Sequence, residues 1–231
     1  FPIDGMTDLV LGMPGLFFGV SRSQVEWAEA LDPTVVLVWL GNNDTLGAAL
    51  YADATLAKPV VQFRVAIAEV LDRMSATGAL VVVANVPDVT VIPYLTSTEE
   101  LVASIDGLTL DLAALLLGIF PGDYVIPDAF PLISDILQGN ISGPLPDEVV
   151  LTAAEVAILR SITGDYNEVI RELAAQEGAV LVDIHAVLNR MDTYGLLIEG
   201  RHLKTSFLGG VFSLDGIHPT NTGYAVVANA F

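Results

Sequence analysis

The chain has 231 residues, 53% of them hydrophobic and 16% charged, with 28 acidic against 9 basic side chains and a net charge of −19. That composition excludes a disordered chain, which needs low hydrophobicity and high charge, and so acidic a surface repels phosphate backbones and excludes nucleic acid as a partner. The length suits one domain spanning residues 1–231, and the absence of cysteine removes disulfides, thiolate zinc ligands and cysteine nucleophiles together.

In chain order, the first segment opens on Phe-Pro-Ile-Asp-Gly and shows no charged stretch followed by an apolar one, so no leader is recognisable in it. Ser23 to Leu31 reads as a surface helix. Val35 to Leu40 is a short β-branched apolar run ending at Gly41, the pattern of a parallel strand buried on both faces. Val60 to Met74 spaces its apolar residues as a helix does, with Gly78 placed to cap it. Leu80 to Val86 is a second buried strand, ending at Pro87-Asp88.

The most apolar run, Leu108 to Phe120, contains Asp111 and stops at Pro121-Gly122. A membrane span needs ~20 apolar residues, so this run predicts a buried or cap helix. Thr152-Ala-Ala-Glu155 has the spacing of a capping box, opening a helix to about Gln176 with Gly178 as its stop. Ala179 to Ile184 is a third buried strand, Leu196 to Phe212 a hairpin or irregular excursion, and Pro219 fits the first turn of a last helix running through Tyr224 to Phe231.

Strands alternating with helices imply an α/β fold with an open parallel sheet and helices on both faces. Residues 95–150 break that rhythm and read as an insertion over the sheet edge. Two roles are open for it: a cap lining a substrate pocket, or a packed excursion without catalytic meaning.

In open α/β sheets, ligands bind beyond the carboxyl ends of the strands. The first strand ends there in Gly41-Asn42-Asn43-Asp44. A glycine lets the backbone approach a ligand and an asparagine amide can donate to a developing oxyanion, although the same residues are ordinary turn and cap chemistry. Before the last helix stands Asp215-Gly216-Ile217-His218-Pro219. An aspartate three residues before a histidine, across a glycine turn, can accept the Nδ1 proton and leave Nε2 as a general base; an Asp-Gly turn followed by a cap is the alternative. Asp183 and His185, two apart at the end of the third strand, could share a face; His185 reads as a hydrogen-bonded structural histidine, with a catalytic role as the alternative, and His202 as a solvated surface residue. Three histidines so scattered make no zinc motif, and no calcium-loop pattern occurs, so no metal or cofactor is expected.

VVLVWLGNND, followed far downstream by FSLDGIHPTNTGYAVVANAF, resembles the SGNH hydrolases, also called GDSL-like lipases or esterases. ANVPDVTVIPY and LTAAEVAILRSITGDYNEVI are similar to a bacterial branch of the same family. The resemblance implies a flavodoxin-like three-layer α/β/α fold and metal-free hydrolysis of a small-molecule ester. It implies His218 as general base, Asp215 as its orienting partner, Asn43 as oxyanion donor, Gly41 as the residue shaping that turn, and Asp44 as a helix cap. It also implies export or a place in the cell envelope. The family's nucleophilic serine block is not identifiable. Ser21 and Ser23 form the only nearby serine cluster and lack a nucleophile-elbow pattern. The expectation is therefore that the serine and one or more N-terminal strands lie upstream of Phe1, so that this chain by itself lacks turnover. The rival reading is a non-catalytic relative that binds lipid or carbohydrate.

Overall fold

The computed structural model describes residues 22–231. The elements follow in the order α1 (Gln24–Ala30), β1 (Val35–Val38), α2 (Asn42–Leu50), α3 (Val60–Ala76), β2 (Leu80–Ala84), β3 (Thr96–Ser97), α4 (Thr98–Ser104), α5 (Leu110–Leu112) and β4 (Tyr124–Val125). They continue as α6 (Ala129–Leu137), β5 (Val150–Leu151), α7 (Ala153–Glu177), β6 (Val180–Val182), α8 (Ile184–Tyr194), β7 (Leu196–Ile198), β8 (Arg201–Leu203) and α9 (Asn221–Ala228).

The three β-branched runs form one parallel sheet in the order β1-β2-β6, with Val35 opposite Leu80 and Val82 opposite Val180. Side chains alternate between its faces. One face, carrying Val36, Val38, Val81 and Val83, meets α3 and α7. Helix α3 presents Phe63, Ile67, Leu71 and Met74 as one buried stripe, and α7 answers with Tyr166, Val169, Ile170 and Leu173. Phe63 and Tyr166 stack with ring centroids 3.9 Å apart. Truncating a fully buried side chain such as Leu71 would cost about 2–5 kcal/mol.

The other face is covered unevenly. Near the carboxyl ends, Trp39, Ala84 and Val182 pack with Ile184, Leu188 and Val227 of α8 and α9. These helices supply the third layer of an α/β/α fold. At the opposite ends Val35, Leu37, Leu80 and Val180 are exposed, Leu37 by 60%. The expectation that β1 is buried on both faces is corrected here: no described helix or strand covers that half of the sheet.

Residues 95–150 build a compact, packed unit. β3, β4 and β5 form a small antiparallel sheet, and Leu101, Leu117, Ile119, Val125, Ile133 and Leu151 pack with Ala48 and Ala49 of α2 and Leu159 of α7. The buried Asp123 carboxylate holds it together, accepting the Phe120 and Ala153 N–H groups at 2.7 Å each. The apolar run begins as α5, capped by Thr109, and continues as a π turn over Ala113–Leu117. Among the described residues no helix is long and apolar enough to cross a membrane.

The helix stops follow local chemistry. Thr152 and Glu155 form the expected capping box, and Gly178 ends α7 in the left-handed conformation at φ 68°. The third strand is shorter than expected because Asp183 accepts the Ala186 N–H and starts α8 at Ile184. Pro219 stands before the last helix rather than in its first turn, since Thr220 is the residue that caps α9.

Candidate active site

The β1 end turns on Gly41, which has φ +111°. A Cβ there would lie 2.7 Å from Val86 Cγ2 and 2.8 Å from Phe63 Cε2, so only glycine fits the turn. The turn thus rests on the Phe63–Tyr166 stack. Tyr166 donates its hydroxyl to the Lys58 carbonyl, and burial, with the Asp44 carboxylate adding to it, pushes its phenol up to about 12. Asn42 and Asn43 then open α2. Asp44 is not the cap expected of it: Gly41 is the N-cap, without a side-chain bond, and Asp44 instead pairs with Lys58. That pair ties the start of α2 to the segment before α3.

The second half of the site is the turn 213–218. It is closed by the Ser213 N–H donating to the His218 carbonyl at 2.8 Å. Asp215 Oδ1 accepts from Ser213 Oγ at 2.6 Å and from the Ile217 and His218 N–H groups at 2.9 Å each. Its other oxygen, Oδ2, lies 2.7 Å from His218 Nδ1. A carboxylate only accepts at neutral pH, so Nδ1 carries the proton and Nε2 presents its lone pair. The Ser213 hydroxyl first, then the Ile217 and His218 N–H groups and the imidazole, hold the Asp215 carboxyl far below the usual carboxylate range.

The His218 side chain is 68% exposed and that of Asp215 47%. An ion pair so open contributes about 0–1 kcal/mol. The pair therefore does not hold the turn together; the turn holds the pair. Gly216 anchors it from behind. At φ +71° its carbonyl accepts the Tyr94 N–H at 3.0 Å, and a Cβ would come within 2.8 Å of that nitrogen. The Asp-His turn is thereby fastened to the segment that leads into the insertion.

His218 and Asn43 line one cavity of about 190 Å³, beyond the carboxyl ends of β1 and β2, with Trp39, Asn42, Ile92 and Tyr224. Two groups there were not singled out from sequence. Trp39 Nε1 and Asn42 Oδ1 are buried without a hydrogen-bond partner, a costly state. Ser213 and Tyr94, which set the turn, were also not singled out; Ser-x-Asp was the only available signal for the first, and it is too common to act on.

The other histidines lie elsewhere. His185 Nδ1 donates to the Val86 carbonyl at 3.1 Å and Nε2 meets Asn189 Nδ2 at 2.9 Å, so both ring nitrogens are engaged. Asp183 does not orient that ring; its Oδ1 accepts from Asn85 and from the Ala186 N–H. Burial opposes the Asp183 charge, but these bonds outweigh it and hold its carboxyl below the usual range. His202 is exposed on β8. Ser23 caps α1 in a capping box with Glu26, and Ser21 lies outside the described residues.

The model of the GDSL-like Lipase/Acylhydrolase family matches residues 6–226. The chain belongs to this family. Comparison with curated proteins and with solved structures returned no match. Membership in this family of hydrolases accounts for the parallel sheet flanked by helices and implies a small-molecule ester as substrate.

Proposed function

We propose that this protein hydrolyses carboxylic esters by a serine mechanism in which His218 is the general base, Asp215 its orienting partner, Asn43 an oxyanion donor and Gly41 the residue that shapes the donor's turn. The observation that carries this reading is the 2.7 Å contact between Asp215 Oδ2 and His218 Nδ1 in a turn whose histidine shares a cavity with Asn43. His218 takes the serine proton as the hydroxyl attacks the ester carbonyl. It returns a proton to the departing alcohol, then activates water against the acyl-enzyme. Charge on the carbonyl oxygen is met by the Asn43 amide.

The serine itself is proposed to lie upstream of Phe1. No serine lines the His218 cavity among the described residues, Ser213 is committed to Asp215, and Ser23 to its cap. This reading makes the chain by itself inactive. It is tested by hydrolysis of p-nitrophenyl acetate, butyrate and octanoate, with this chain, with a form carrying the upstream coding sequence, and with His218→Ala in each. Turnover in the longer form alone, lost in His218→Ala, is expected. Turnover by the shorter form that His218→Ala removes would place the nucleophile within it and turn attention to Ser21.

A further inference from the structure

A second depression, about 680 Å³, runs between the 95–150 insertion and the loop 206–216, and the Asp215-Gly216 turn forms part of its wall. It is within the ~300–1,000 Å³ of ordinary ligand sites, whereas the His218 cavity, about 190 Å³, is below it. Its walls include Tyr94, Leu95, Ala103, Phe130, Phe207 and Leu214. Phe207 and Leu214 are 57% and 78% exposed, apolar lips facing water. Three polar residues of the wall are engaged elsewhere: Glu100 closes the cap of α4 with Ser97, Ser104 donates to the Leu101 carbonyl at 2.8 Å, and Asp215 is bonded within its own turn. No lysine or arginine lines it, and a chain of net charge −19 repels anions.

We propose that this groove receives the neutral hydrocarbon arm of the ester whose carbonyl reacts at His218. The inference rests on the catalytic reading above and extends it. The reacting group occupies the smaller His218 cavity, which has no room for a long chain. The chain lies along the groove on the far side of the Asp215 turn, covering Phe207 and Leu214. The insertion then acts as one wall of the substrate site, and Ala103 and Phe130 set the length and width of chain that fits. The hydrocarbon arm belongs either to the acid or to the alcohol of the ester, and the two are chemically alike inside the groove.

Methyl octanoate, octyl acetate and methyl acetate separate these cases. Binding is measured by calorimetry on the chain as it stands, with Ala103→Trp, which fills the groove from an exposed helix position, and Phe130→Ala, which removes a wall. Expected is that both octyl compounds bind more tightly than methyl acetate, that Ala103→Trp weakens them about tenfold and Phe130→Ala about threefold, and that methyl acetate is unchanged. Octyl binding unaffected by both variants, each folded by its melting curve, overturns the proposal. In the form carrying the upstream sequence, a higher kcat/KM for methyl octanoate assigns the groove to the acyl side and for octyl acetate to the alcohol side, and Ala103→Trp erases either preference. Binding that follows this pattern without turnover of any ester would leave the groove in place and remove the catalytic reading instead.

Discussion

The chain holds two histidine–aspartate neighbours, and their difference separates the imidazole proposed as the base from a structural one. At His185 both ring nitrogens are engaged by the Val86 carbonyl and by Asn189, while the nearby Asp183 caps α8 and holds Asn85. The group ties β2 to α8, and nothing is left over for a substrate. At His218 the aspartate spends one oxygen on its own turn and the other on Nδ1. Nε2 makes no bond to another described residue, and the ring borders a cavity. A hydrogen-bonded histidine is common; one whose second nitrogen is unspent, at a cavity that Asn43 also lines, is what the proposed mechanism asks of its base.

The comparison can be broken by exchanging the damage. His218→Ala, in a form able to turn over esters, should lower kcat by roughly 10⁴–10⁶-fold while leaving the melting temperature nearly unchanged, because the side chain is mostly solvated. Asp215→Asn should cost about 10⁴-fold, since an amide can offer Nδ1 an N–H and favour the wrong tautomer; full activity in that variant would deny Asp215 its orienting role. Gly216→Ala should lose about 1–3 kcal/mol, with turnover falling as well, because the Cβ meets Tyr94 N; denaturant midpoints and kcat measured together check both. His185→Ala should lose about 1–2 kcal/mol yet keep kcat in the folded fraction. If it instead abolished turnover without lowering stability, the two histidines would have been assigned the wrong way round.

The smallest effect concerns pH. Asp215 has its carboxyl pKa lowered in the folded protein, so the stability it contributes is present above the unfolded value of about 4 and is lost as pH falls further. The stability difference between the parent chain and Asp215→Asn should therefore be constant from neutrality to about pH 4 and shrink below it. A difference that vanished nearer pH 6 would mean the Ser213 hydroxyl and the Ile217 and His218 N–H groups do not stabilise the carboxylate as described.

Local chemistry was legible in the sequence where one residue decides the outcome. Thr152 with Glu155 and Gly178 bounded the longest helix, Gly41-Asn42-Asn43 stood at the end of β1, and Asp215-x-x-His218 stood in the turn before the last helix. Asp183 misled, because it follows an apolar run and looks like the end of a strand, whereas its carboxylate starts α8. The strands of the insertion are two residues each, too short to show a period, so its small sheet could not be read. Val35 and Leu37 have the composition of a fully buried strand and are exposed because burial depends on what covers the sheet, which composition does not encode. The groove walls come from Ala103, Phe130 and Leu214, residues scattered over more than a hundred positions and indistinguishable in sequence from any other apolar side chain.

The central claim is that His218 activates a serine lying upstream of Phe1. The most direct test is labelling with a fluorophosphonate, followed by peptide mapping, of the form with the upstream coding sequence and of its His218→Ala and His185→Ala variants. One adduct on a serine N-terminal to Phe1, formed far more slowly in His218→Ala and at the parent rate in His185→Ala, is the predicted result. An adduct on a serine within residues 1–231, Ser21 included, or equal labelling rates in all three proteins, would contradict it.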